Sequence, residues 1–175
     1  LPWFRLGGDA FITRDFRVRD LLCHRSGLSL GQGDLLIFGS DYSASDIAHR
    51  LRFLTPPGSF RSGFAYDNVL YIVAGELVAA VSGMPWEDFV AQRIMKPLGM
   101  TETAPALALI DLAANVASAH DRRNGQPVIV PHDSVVNALA AGGVVASVAD
   151  WTRWMQLQLD SGRVDASTRL WSPAE

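Results

Sequence analysis

Three consecutive residues, Tyr66, Asp67 and Asn68, place a phenol, a carboxylate and an amide at the start of an apolar helical pattern. The N-terminus of a helix has a partial positive charge, so a phenol there could act as a general base or hold an anion. The Asn68 amide could hydrogen-bond a substrate amide. In the structural alternative, Tyr66 packs on its loop and Asp67 or Asn68 caps the helix. A Tyr-x-Asn pattern alone is too short to choose between these interpretations.

The other residues with reactive side chains form no complete motif. Lys96 is the only lysine, and Arg93 stands three residues before it, so the chain contains no Ser-x-x-Lys nucleophile motif. We interpret Ser26, close to His24, as a turn or cap residue. Cys23 is the only cysteine, which excludes an internal disulfide, and we expect it to be a small core residue. The histidines lack metal-ligand spacing, so we predict no metal site; they are His24, His49, His120 and His132.

Composition limits the classes of protein to which the chain can belong. Hydrophobic residues make up 49% and charged residues 19%, a balance typical of folded domains. The net charge is −3 and no basic stripe occurs, so we expect no nucleic-acid partner. Charged residues or glycine interrupt each apolar stretch short of the length that spans a membrane. No linker is evident, and we predict a single domain over residues 1–175.

Helical periodicity predicts five helices that must position these residues. They are expected near residues 18–22, 43–54, 70–81, 85–96 and 148–159. The clearest is 70–81, whose apolar residues recur at helical spacing until Gly83 ends the pattern. Ser43 and Ser147 each precede a helix and have an aspartate three residues later, a capping pattern. For the last helix we expect Val148, Trp151 and Met155 to face the core with Leu159, and Trp154 to be partly exposed.

Residues 100–146 show weaker periodicity. Asn124-Gly125 stands between two short apolar runs, which indicates a β-hairpin. Gly142-Gly143 lies in an apolar stretch and indicates a bend or a close backbone approach. The predicted fold class is therefore mainly α with one short β-hairpin.

Several segments, taken together, resemble the class C β-lactamase and penicillin-binding-protein family of serine hydrolases. Residues 18–28, VRDLLCHRSGL, resemble that family's "vrdLLtHrSGL" segment. The other similar segments are PGSF at 57–60 with YDN at 66–68, AGE at 74–76, VSG at 81–83, IMKPLGMTET at 94–103 and AGGVVASVAD at 141–150. The segments occur in the family's order and extend over nearly the whole chain.

The resemblance implies a covalent acyl-enzyme route with three motifs: Ser-x-x-Lys with the nucleophile, Tyr-x-Asn, and Lys-Thr-Gly or His-x-Gly. Only Tyr-x-Asn is present, with Tyr66 assisting proton transfer as a catalytic residue and Asn68 binding the substrate. The family places the other two motifs outside residues 1–175, so we expect the chain, which begins at Leu1, to be an excerpt. A free phenol has a pKa of about 10 and needs neighbouring cations to act as a base. We therefore expect the isolated chain to be inactive.

By the same resemblance, the chain corresponds to the helical subdomain of the β-lactamase/transpeptidase-like α/β fold. The implied partner is a small-molecule or peptide acyl substrate, namely a β-lactam, a D-amino-acid peptide or an ester, and no cofactor is implied. A periplasmic or extracellular location is favoured by the family alone. Residues 69–81 and 148–159 should then leave an apolar patch uncovered within this chain. The alternative is a non-catalytic relative that keeps the pocket for binding.

Overall fold

Helices dominate the computed structural model, which describes residues 1–133 and 135–173. The helices are α1 (Ala10–Asp15), α2 (Val18–Leu22), α3 (Ala44–Arg50), α4 (Val69–Ser82), α5 (Trp86–Val90), α6 (Leu139–Gly142) and α7 (Val148–Leu159). The strands are β1 (Thr103–Ala104), β2 (His120–Arg123), β3 (Gln126–Ile129) and β4 (Val145–Ala146). Single 3-10 turns form at Asp34–Leu36, Leu51–Phe53 and Leu107–Leu109, and a π-helical turn, Ala91–Met95, continues α5. The predicted predominance of helix over strand is confirmed.

Helix α4 lies at the centre of the hydrophobic core. Its Val69, Leu70, Ile72 and Val73 are at most 2% exposed, and they belong to one cluster with the buried side chains of α2 and α3. The helix ends as its sequence predicts, at Gly83, which adopts the left-handed conformation with φ of 74°. The first turns of this helix are thus fixed by packing, and they follow Tyr66 and Asn68 directly.

Helix α3 begins with the capping arrangement that its sequence predicts. The Ser43 hydroxyl accepts a hydrogen bond from the Asp46 backbone N–H, and the Asp46 carboxylate accepts one from the Ser43 N–H. Ile47, Ala48 and Leu51 are fully buried against the core. These three residues form the face of the helix that packs on the core.

The strands form two separate two-stranded antiparallel sheets within the described residues. Strands β2 and β3 pair from His120 opposite Ile129 to Arg123 opposite Gln126, and Asn124 and Gly125 both have positive φ at the turn. Strands β1 and β4 pair through two residues each. At Gly143, just before β4, a Cβ atom would lie 2.8 Å from the Pro105 carbonyl oxygen, so glycine permits a close backbone approach there.

Helix α7 has the predicted bounds but buries a different face from the one predicted. Asp150 and Leu157 are buried, whereas Val148 is 84%, Trp151 48%, Met155 53% and Leu159 78% exposed. Asp150 also does not complete a capping box. Its carboxylate instead accepts hydrogen bonds from the Glu102 N–H and the Thr103 hydroxyl. The exposed residues form an apolar stripe, and the chain thereby leaves one helix face uncovered.

Cys23 is exposed, so the prediction that it lies in the core is wrong. It directly follows α2, on the side that faces solvent.

In the described part of the chain, no single helix is long and apolar enough to span a membrane. Helix α4 and the segment Trp86–Met95 meet the criteria of length and composition only together, and they are bent by 73° where they join.

Candidate active site

Tyr66 and Asn68 form a hydrogen-bonded pair immediately before α4. The Tyr66 hydroxyl donates to Asn68 Oδ1 at 3.0 Å, and the Tyr66 side chain is partly open to solvent. The structure thus brings together the two residues that the sequence singles out for chemistry. Because the phenol donates its proton to the amide, the lone pairs of its oxygen remain able to accept a hydrogen bond from another donor.

The cap of α4 is provided by Asp67. Asp67 Oδ1 accepts a hydrogen bond from the Leu70 backbone N–H at 3.2 Å, whereas the Asn68 side chain makes no cap bond. The capping role that the sequence offers to Asp67 or Asn68 therefore belongs to Asp67. Asp67 has the structural role, and the Tyr66 and Asn68 side chains are left for other contacts.

The 3-10 turn at Asp34–Leu36 and the loop before it contact the Tyr66–Asn68 pair. Asn68 Nδ2 donates to Asp34 Oδ1 at 3.1 Å, and the Gly31 N–H donates to the Tyr66 carbonyl oxygen at 3.0 Å. An amide group has two N–H bonds and two oxygen lone pairs. Asn68 therefore keeps one N–H and one lone pair for a further partner, while Asp34 and Tyr66 fix its orientation.

His24 packs against the Tyr66 ring, a contact that joins positions 42 apart in the sequence. Its ring centroid lies 4.6 Å from that of Tyr66 and 5.2 Å from that of Tyr71, and Phe64 meets it edge-on at 5.6 Å. Its Nδ1 accepts a hydrogen bond from the Asp67 N–H at 3.3 Å. Ser26, two residues on, is buried, and its hydroxyl accepts from the Leu28 N–H, the turn role that its sequence context indicates.

The Asp67 carboxyl is fully buried, and only one of its oxygens is hydrogen-bonded. Oδ2 has no hydrogen-bond partner among the described residues and lies 4.0 Å from His24 Nδ1. Burial raises the pKa of this carboxyl above its ordinary value, and the Asp34 carboxylate adds to the rise. The Leu70 N–H, His24 and the nearby Ser26 hydroxyl oppose that rise only in part. An ionised Asp67 therefore costs stability in the folded protein.

We expect the substitution Asp67→Asn to become more favourable to stability as the pH rises. A raised folded-state pKa means that the folded protein binds the proton more tightly than the unfolded chain. The cost of ionising Asp67 is absent below about pH 3.8 and grows as the pH rises through the folded-state pKa. Asparagine keeps the Oδ1 acceptor for Leu70 and cannot ionise. The free energy of unfolding of variant minus wild type, from urea titrations at pH 3 to 7, should therefore increase with pH.

Asp46→Asn is the matched control, because the hydrogen bonds from Ser43 lower the pKa of Asp46. Its stability difference should change in the opposite direction, becoming less favourable as the pH rises through that range. A difference for Asp67→Asn that stays flat or decreases with pH would contradict the cost assigned to its buried charge.

An ion pair holds the loop that leads to the site. Arg61 Nε donates to Asp20 Oδ1 at 2.9 Å, and Nη2 donates to Oδ2 at 2.6 Å, a bidentate contact between the loop and α2. Asp20 is buried, and this contact holds the pKa of its carboxyl below the ordinary value. The Arg61 backbone has a φ of 62°, so the loop turns sharply at the ion pair. The loop that precedes Tyr66 is thereby joined to α2.

A phenol acts as a base only when neighbouring cations favour its ionised form. Within the described residues, no arginine or lysine hydrogen-bonds to Tyr66 or stacks on its ring. The described residues also contain no cluster of three or more His, Cys, Asp or Glu side chains suited to a metal ion. What the arrangement offers is an oriented amide that is hydrogen-bonded to a phenol.

Comparison with known proteins identifies relatives over most of the chain. The family model described as Beta-lactamase matches residues 7–174. The chain is 28% identical over 154 residues to unguisins hydrolase ungD of Aspergillus violaceofuscus, covering 82% of the chain and 27% of that protein. It is 29% identical, over an alignment 185 residues long, to penicillin-binding protein 4 of Amycolatopsis lactamdurans. That alignment covers 99% of the chain and 46% of that protein.

The structural comparison agrees. The D-amino acid amidase of Ochrobactrum anthropi SV3, crystallised with D-phenylalanine, superposes with a TM-score of 0.66 at 26% identity. That match covers 91% of this chain and 48% of the amidase chain. The chain thus spans less than half the length of each of these relatives.

Proposed function

The chain belongs to the beta-lactamase family, and from that premise we propose that it forms the helical part of a serine hydrolase that works through a covalent acyl-enzyme. The observation that supports this most directly is the Tyr66–Asn68 pair, in which an exposed phenol is hydrogen-bonded to an oriented amide at the start of the central helix. Such an enzyme needs a proton acceptor and a substrate-orienting group at the same place.

In the proposed reaction, a serine hydroxyl from outside residues 1–175 attacks the acyl carbonyl carbon, and the bond to the leaving nitrogen or oxygen breaks. Tyr66 acts in this step as its phenolate, a form that cations from outside residues 1–175 would stabilise. The phenolate takes the proton from the attacking hydroxyl and passes it to the leaving group. Water then hydrolyses the acyl-serine bond. Asn68 uses its remaining N–H and lone pair to hold an amide group of the substrate in line with the nucleophile.

We propose a substrate of the class on which the relatives act. The amidase relative was crystallised with D-phenylalanine, and another relative is a penicillin-binding protein. These relatives suggest an amide or peptide of a D-amino acid, or a β-lactam, and the family resemblance adds an ester as the third candidate. All three present an acyl carbonyl next to a polar group that Asn68 could bind.

The exposed stripe on α7 supports the assignment of the chain to the helical subdomain of a larger α/β fold. Val148, Trp151 and Met155 lie together with Val144 around an apolar groove of about 410 Å³. Solvent-exposed tryptophan, methionine and valine on one helix face are typical of a surface that another layer covers. We propose that this layer is the sheet of the family's fold and that residues 1–175 are one unit of it.

The test is acylation of the full-length protein and of residues 1–175 alone, followed by intact mass spectrometry. The probes are a fluorescent penicillin, the p-nitroanilide of D-phenylalanine and a p-nitrophenyl ester. We expect a covalent adduct or turnover with at least one probe for the full-length protein, and neither for residues 1–175. If the full-length protein neither reacts with nor turns over any probe, the protein is a non-catalytic relative. An adduct on residues 1–175 alone would contradict the role assigned to the outside serine.

A further inference from the structure

The geometry points to His24 as a positioning residue that holds the Tyr66 phenol against Asn68. His24 is separated from Tyr66 by 42 positions in the sequence, yet its ring lies 4.6 Å from the Tyr66 ring, centroid to centroid. The inference rests on the proposed function, because it assigns to His24 an effect on the reaction that Tyr66 performs. His24 itself is not assigned any contact with substrate.

His24 is held from several directions, so its ring can serve as a fixed support. Its carbonyl oxygen accepts a hydrogen bond from the Ala65 N–H at 2.9 Å, and its Nδ1 accepts one from the Asp67 N–H. Tyr71 stacks on the His24 ring, with the centroids 5.2 Å apart, and the Tyr71 hydroxyl donates to the Leu22 carbonyl oxygen at 2.9 Å. The His24 side chain is only 13% exposed.

Tyr66, by contrast, has few other contacts that fix its side chain. The residue is 45% exposed, and among the described residues its hydroxyl makes one hydrogen bond, to Asn68. The side chain of an exposed tyrosine can occupy several rotamers about its two torsions unless packing restricts it. The His24 ring supplies that packing, and a displaced reactive group lowers the rate steeply even when the fold is intact.

The backbone of His24 explains which substitutions are informative. Its φ is 55°, in the left-handed region, where asparagine and histidine are enriched and β-branched or bulky residues are strained. Asparagine can also place its Oδ1 near the position of Nδ1 and accept from the Asp67 N–H. His24→Asn therefore keeps the backbone conformation and the acceptor and removes mainly the ring. His24→Phe keeps a ring and loses the acceptor.

The experiment compares His24→Asn, His24→Phe and Tyr66→Phe in the full-length protein, with kcat and KM measured for the best acyl substrate. We expect His24→Asn to lower kcat about tenfold or more, with KM within about twofold, because orientation of the phenol is lost while substrate binding is kept. His24→Phe should retain more of kcat than His24→Asn, even with a lower melting temperature. His49→Asn is the control, since His49 also stacks on an aromatic ring, that of Trp3, but away from the site. It should leave kcat unchanged.

A second measurement does not depend on catalysis. In a protein with isotope-labelled tyrosine rings, His24→Asn should shift the ring resonances of Tyr66, since the neighbouring aromatic ring is removed, and His49→Asn should not.

If Tyr66→Phe slows the reaction but His24→Asn leaves kcat at the wild-type value, the positioning role is wrong and the proposed function stands. If Tyr66→Phe also has no effect, the proposed function itself fails. A larger loss of kcat in His24→Phe than in His24→Asn would show that the ring is not what positions Tyr66.

Discussion

Replacement of Tyr66 by phenylalanine in the full-length protein is expected to lower the rate of acyl transfer by about 10²–10⁴-fold, the contribution of a positioned acid–base group. The substitution removes only the phenol oxygen, which donates one hydrogen bond, to Asn68 Oδ1. That bond is exposed, so its loss should cost about 1 kcal/mol of stability or less. The ring remains to pack on His24. The expected loss of rate therefore reflects chemistry and not unfolding.

The measurement is the rate of acyl-enzyme formation at saturating substrate, with the melting temperature recorded for each variant. Tyr42→Phe makes the same chemical change at a tyrosine that packs against the core, where the Arg50 guanidinium lies 3.9 Å from the ring centroid. The Tyr42→Phe variant should form the acyl-enzyme at a rate within about twofold of wild type, because Tyr42 is given no part in the reaction. Unchanged acylation in Tyr66→Phe would remove the catalytic role that we assign to this residue.

The limits of sequence-based inference are clearest at this site. Tyr66 and Asn68 are two positions apart, so their association follows from local spacing and is visible in the sequence. His24 and Asp34 reach them only through the fold, across 42 and 34 positions from Tyr66 and Asn68 respectively. No local pattern marks such contacts, because they depend on where α2 and the following loop pack against α4.

Helix α7 shows a related limit for the fold. Its start at Ser147 and its length follow from capping chemistry and periodicity, which are local properties. Which face becomes buried depends on what the rest of the chain offers to it. The face with Val148 and Trp151 is the more apolar one, yet within the described residues it stays exposed, and the face with Asp150 is buried instead. Apolarity predicts that a face will be covered and does not say by which segment.

Removal of the Asp150 carboxylate should have the largest effect on stability among the polar substitutions considered. Asp150 is fully buried and accepts hydrogen bonds from the Glu102 N–H at 2.7 Å, from the Thr103 hydroxyl at 2.9 Å and from Arg153. It thereby joins α7 to the segment that enters β1. Asp150→Ala leaves these donors without their acceptor, and we expect the free energy of unfolding to fall by about 3 kcal/mol. Urea unfolding monitored by circular dichroism would measure it.

Asp160→Ala provides the control on the same helix. Asp160 follows the last turn of α7, is exposed and accepts a hydrogen bond from Gln156. Its removal should change the free energy of unfolding by about 0.5 kcal/mol or less, as is usual for surface positions. An equal loss in both variants would mean that the loss of a negative charge near α7, and not the buried hydrogen bonds, accounts for the effect.

A double-mutant cycle with Thr103→Val isolates the contact between the helix and the strand. In the wild-type background, Thr103→Val removes one donor to the buried carboxylate and should cost about 1 kcal/mol. In the Asp150→Ala background the acceptor is already gone, so the same substitution should cost close to nothing. Residues that share a hydrogen bond deviate from additivity in this way, whereas independent sites do not. Additive losses would show that Asp150 stabilises α7 without fixing the entry to β1.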